Sequence, residues 1–164
     1  MKILSVLKIV TPVAVAGVMM FGGKPAMATN AATQQVTYQV SAINEISVTG
    51  TPSMIISAAT AGSAPNSVSD NTTTYSITTN EASKKITASI GSAMPTGVTL
   101  TLNAAAPTGA TSGGALTLSA TAVDLVTGIS TLNEAGKALS YTLSATSAAG
   151  VVASGTKTVT LTIV

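Results

Sequence analysis

The side chains able to do chemistry are few and scattered. Histidine and cysteine are both absent, which removes the commonest general base, the commonest metal ligand and the thiolate nucleophile together. Five carboxylates remain, Glu45, Asp70, Glu81, Asp124 and Glu134, each isolated along the chain. A glycosidase pair needs two acids held roughly 5 to 9.5 Å apart. Folding would have to bring Asp70 and Asp124 together to make one, and no motif surrounds either. Ser83-Lys84 has the residue types of a serine–lysine dyad, but in a turn before a strand the two read as polar turn residues. Gly113-Gly114 and Gly22-Gly23 lack the lysine and the following helix of a phosphate loop. Asp70-Asn71 is too sparse for a calcium loop, and Asn71-Thr72-Thr73 is a three-residue glycosylation pattern. These absences predict a protein that is not an enzyme, with no catalytic residue, no metal site and no cofactor.

The N-terminus carries the clearest processing signal. Lys2 and Lys8 flank a short basic region, residues 9–21 are apolar, and Ala26-Met27-Ala28 has the small-x-small pattern that signal peptidase accepts. The apolar run is interrupted by Thr11 and Pro12 and falls short of the roughly 20 residues that span a bilayer. Residues 1–28 are therefore predicted to be a secretory signal peptide, and residues 29–164 a single exported domain with no retained membrane span. Without Lys2, Lys8 and Lys24, four lysines face five acids, a net charge of −1, and the chain has no arginine. Nucleic acid, which demands a concentrated basic field, is excluded as a partner.

Such a domain has to be held together by aliphatic burial and backbone pairing, because it has no disulfide and only Tyr38, Tyr75 and Tyr141 as rings after residue 28. Its pattern is that of strands: apolar residues recur at every second position with threonine or serine between them. Val36, Tyr38, Val40, Ala42, Ile46 and Val48 form the first run, read as one long strand with a bulge near residues 42–44 or as two strands. Residues 54–56 fit a short buried strand. Residues 73–79 and 85–90 alternate on either side of a turn at 80–83 and are expected to form a hairpin. Val98, Leu100 and Leu102 make the next strand, Leu116 and Leu118 another. Residues 121–132 fit either a helical turn or an irregular strand, with a short helix or loop preferred. Leu139, Tyr141, Leu143 and Ala145, then Val159, Leu161 and Ile163, complete an all-β, antiparallel sandwich of about eight strands, of immunoglobulin or jelly-roll type. The tyrosines share the phase of apolar neighbours and are expected in the core. The Thr-x-Thr alternations read as strand faces turned to water, because no regular repeat supports an ice-binding array.

Charge is thin where a lone sandwich needs it. Residues 36–42 carry none; uncharged edges invite pairing with another chain, and strand addition uses that property. An exported, cysteine-free, Thr/Ala/Ser-rich chain that opens with Gln35-Val36-Thr37-Tyr38-Gln39-Val40 and closes with Thr158-Val159-Thr160-Leu161-Thr162-Ile163 resembles donor-strand pilins and matrix-fibre subunits. That broad group contains TasA-type biofilm fibres, archaeal bundling pili, and chaperone-usher and spore-coat-U-like subunits. The chain departs from chaperone-usher pilins in lacking their disulfide, and from type IV pilins in lacking a long retained N-terminal helix.

The resemblance implies a structural subunit of an extracellular or cell-surface filament, a pilus or biofilm-matrix fibre, that polymerises with itself and serves adhesion, biofilm formation or another role. An assembly chaperone or a cell-surface anchor would be its further partner. Residues 29–42 would then be the donor strand, with Val36, Tyr38, Val40 and Ala42 entering the neighbouring subunit, whose sandwich they complete. The competing expectation is a monomeric secreted module that binds carbohydrate or another surface polymer through loops at one end of the sandwich.

Overall fold

The computed structural model describes residues 30–164, and the expected signal peptide lies outside the described residues. Within Gln39–Val164 the chain forms nine strands in two antiparallel sheets. The strands are β1 (Asn44–Thr49), β2 (Val68–Thr79), β3 (Lys84–Ile90), β4 (Val98–Ala104), β5 (Thr111–Ser112), β6 (Leu116–Thr117), β7 (Val123–Ile129), β8 (Leu132–Ala145) and β9 (Val159–Ile163). The larger sheet runs β1-β2-β8-β4-β6 and the smaller β5-β7-β3-β9. The expected all-β sandwich is the observed one. The described residues hold one 3-10 turn, Ser147–Ala149, and no helix long and apolar enough to cross a membrane.

Alternation creates the core. On β2 the odd positions Thr73, Tyr75, Ile77 and Thr79 are buried, on β3 Ile86, Ala88 and Ile90, and on β4 Leu100, Leu102 and Ala104. Leu125, Val126 and Ile129 of β7 and Leu139 and Tyr141 of β8 join them in one cluster. Each fully buried aliphatic side chain contributes about 1.5–3 kcal/mol from leaving water. Tyr75 is fully buried, and its hydroxyl donates to the Ala105 carbonyl at 2.7 Å, so the core gains aromatic surface without an orphaned polar atom.

Four local expectations are corrected. Strands β2 and β3 do not form a hairpin. β2 pairs with β1 and β8 while β3 pairs with β7 and β9, so the turn at residues 80–83 crosses between the layers and Ser83 takes a left-handed backbone, φ 60°. Both hydrogen-bonding edges of β2 are already filled, and the crossing sets the apolar face of β3 in the core cluster with that of β2. Residues 123–129 are a strand and not a helical turn; Leu125 and Val126 are both buried, because the β3–β7 register shifts around Ile86. Residues 54–56 form no strand, and Ile55 is 76% exposed. Of the three tyrosines, Tyr75 and Tyr141 are core residues but Tyr38 is 90% exposed.

The β4 entrance shows why one glycine is needed. Gly97 has φ 78°, and a Cβ there would sit 2.8 Å from Thr146 Oγ1 and 3.0 Å from the Ala149 backbone. Thr146 N–H donates to the Gly97 carbonyl at 2.8 Å, so the close approach fastens the end of β8 to the start of β4.

Candidate assembly surface

The two edges of the sandwich differ. On one side the sheets end in the two-residue strands β5 and β6. On the other they end in β1 and β9, six and five residues long, each paired along one edge only. Ile46, Ser47 and Val48 of β1 and Val159, Thr160 and Leu161 of β9 line a cleft of about 230 Å³ between these edges. A second hollow of about 150 Å³ follows β1 and β2 along Glu45, Ile46, Ser47, Ser76, Ile77 and Thr78.

The backbone pattern defines which groups the cleft edge offers. Lys85 and Val164 exchange both main-chain hydrogen bonds, 3.0 and 2.9 Å, and Gly91 N–H donates to the Thr158 carbonyl. In an antiparallel ladder the hydrogen-bonding direction alternates. With Thr160 and Thr162 opposite Ser89 and Thr87, the N–H and C=O groups of Val159, Leu161 and Ile163 point away from β3, toward the free edge. The side chains of the same three residues face inward but are only half-buried. Across the cleft Ile46 is half-buried and Val48 is 54% exposed, although both pair in register with the core residues Ile77 and Tyr75. No side chain of β9 is charged, and Glu45 is the one charge on β1.

No strand includes residues 30–43, and the long run expected through residue 48 is a strand only from Asn44 onward. Val36, Tyr38 and Val40 are 75%, 90% and 78% exposed, and Ala42 is exposed as well. The root of this segment is tied by a residue the sequence did not single out. Asn80 donates its main-chain N–H to the Ile43 carbonyl at 3.2 Å, accepts the Ile43 N–H on Oδ1 at 2.8 Å, and donates from Nδ2 to the Ser41 carbonyl at 2.8 Å. The amide prolongs the β1–β2 ladder past the point where β2 ends. A turn asparagine is ordinary in sequence, and only the pairing register reveals this use.

The titratable groups fall into local pairs. Lys84 meets Glu81 at 3.1 Å, Lys85 meets Asp124 at 2.9 Å, Lys137 meets Glu134 at 2.7 Å, and Lys157 donates to Ser92 Oγ and the Ala93 carbonyl. Asp70 accepts from Thr72 N–H and Oγ and from Ser53 N–H, and the Thr72 N–H is the main reason its pKa lies below the ordinary value. Asn44 and then Lys84 lower that of Glu81. Lys137, helped by the Thr108 hydroxyl and N–H, draws Glu134 down to about 2. Asp70 and Asp124 thus have separate partners, and Lys84 turns to Glu81. Among the described residues no three acids gather as a metal site.

These pairs tie turns to strands, and β1 and β9 each keep one edge without a ladder partner among the described residues. No family model, curated protein or solved structure matches the chain.

Proposed function

We propose that this chain is the structural subunit of an extracellular or cell-surface filament, a pilus or biofilm-matrix fibre, in which each subunit donates residues 29–42 as a β-strand to the next. One observation carries the reading: Val36, Tyr38 and Val40 alternate like a strand yet stand 75–90% exposed, in a chain whose sandwich leaves β1 and β9 unpaired along one edge. Both halves of a strand-addition contact are then present in one sequence, and neither residues 30–43 nor β9 carries the charge or proline by which proteins usually protect an edge. Main-chain hydrogen bonds would supply the affinity and the alternate side chains the specificity.

A self-polymer is also consistent with how little the subunit has to offer a ligand. Among the described residues Tyr38 is the one exposed ring, since Tyr75 and Tyr141 are buried, and a sugar-binding platform relies on exposed aromatics. The signal-peptide pattern of residues 1–28 supports export, and the subunit acts by assembly and not by catalysis.

Deleting residues 30–42 from the full chain tests the reading. Filaments visible by negative-stain electron microscopy in the parent should vanish, while the deletion variant keeps the circular dichroism of a folded β-protein. Filaments that persist without the segment would refute strand donation.

A further inference from the structure

We propose that the β1–β9 cleft is the acceptor site, and that it takes residues 36–42 of a second copy of this chain along the free edge of β9. The inference rests on the filament reading and adds to it the receiving edge.

Three observations select β9. First, the smaller sheet has four strands and the larger five, so a strand added beyond β9 equalises the layers. It also covers the inward-facing Val48 of β1, which is 54% exposed in the isolated chain. Second, Val159, Leu161 and Ile163 each present a free N–H and C=O outward together with a half-buried apolar side chain. Three such residues at period two match Val36, Tyr38 and Val40, also at period two. Third, the contact is charge-free on both sides: residues 30–43 contain no Asp, Glu, Lys or Arg, and neither does β9. On β1, by contrast, Glu45 would lie within the new ladder.

The donor must come from another copy. Residues 36–42 precede β1 directly, so inserting Val36, Tyr38 and Val40 into their own cleft requires the chain to reverse at residues 41–43. That stretch is held extended by the three hydrogen bonds to Asn80. Reversal would break them at the root of the segment, whereas donation to a neighbour leaves them in place.

With Val36, Tyr38 and Val40 turned inward, Gln39 lies on the outer face of the added strand, beside the exposed Thr160 and Thr162 of β9. The chain has no cysteine, so engineered pairs report without background, and a disulfide requires Cα atoms within about 7 Å. Full-length variants carrying Gln39→Cys with Thr160→Cys, or Gln39→Cys with Thr162→Cys, are oxidised after assembly and boiled without reductant. A control carries Gln39→Cys with Ser47→Cys, on the outer face of β1. A ladder of covalent multimers from at least one β9 pair, absent from the β1 pair and collapsed by reductant, is the expected result. A ladder from the β1 pair alone overturns the assignment of β9 while leaving the filament reading intact; a β9 pair that closes within the monomer and protects both thiols there overturns donation by a second copy, and with it strand donation between subunits. If none of the three variants nor the parent assembles on an unheated gel, both the inference and the filament reading fail.

Discussion

Replacing Tyr38 by alanine separates assembly from folding. In the isolated subunit the ring is 90% exposed and belongs to no strand, so its removal should leave subunit stability within about 0.5 kcal/mol, the usual range for surface substitutions. On the proposed strand donation the same ring would enter a cleft lined by Ile46, Val48, Val159 and Leu161. Burying a side chain of this size contributes about 1.5–3 kcal/mol, against about 0.5–1.5 kcal/mol for ordering it. A net loss of about 1.2 kcal/mol corresponds to a critical concentration raised about sevenfold, at 1.4 kcal/mol per factor of ten. Val36→Ala removes less surface and should raise it about threefold. Sedimentation of assembled protein over a concentration series gives the critical concentration, and thermal unfolding of the subunit below that concentration gives its stability. A Tyr38→Ala subunit that melts many degrees below the parent, with an unchanged critical concentration, would refute the reasoning, because it would place the ring in the subunit's own core.

Other predictions concern the sandwich itself. Glu134 has its pKa drawn down to about 2 by Lys137 and Thr108, so its contribution is present above the ordinary carboxylate value and lost as pH falls through about 2; acid melting curves of Glu134→Gln should be flatter than the parent's over that window. Burial, and to a lesser degree the Glu134 charge, pushes Tyr75 up to about 12, so stability present below pH 10 should drain away as pH rises through about 12. Tyr75→Phe should flatten that alkaline loss and cost about 0.5–1.5 kcal/mol at neutral pH by removing the hydrogen bond to the Ala105 carbonyl, measured by denaturant unfolding. Ser83→Gly should stabilise by up to about 1 kcal/mol, read from the same midpoint, because serine holds φ 60° there at a cost glycine does not incur.

What the sequence disclosed and what it hid follow from how far each signal reaches. Val98-Thr-Leu-Thr-Leu and Val159-Thr-Leu-Thr-Ile alternate so regularly that their strands, β4 and β9, and their inward faces could be read directly. Alternation does not say which sheet a strand joins. Residues 73–79 and 85–90 therefore looked like a hairpin, while the structure divides them between layers because β2 already has two neighbours. The bulged register around Ile86 buries the consecutive residues Leu125 and Val126, and that breaks the period on which a strand assignment depends. Period two also could not separate a strand already paired from one still unpaired: Val36, Tyr38 and Val40 have the phase of Ile46, but strand pairing starts at Asn44. The β1–β9 cleft and the Asn80 clamp come from contacts 37 to 39 residues apart in sequence, or more, and carry no local signature.

The most direct test of the central claim is to express the full chain in an exporting host, image the product by negative-stain electron microscopy, and run it on a denaturing gel before and after boiling. Strand-linked polymerisation predicts regular filaments and an unheated ladder that collapses to one subunit band when boiled. A uniform folded monomer at every concentration would contradict the account.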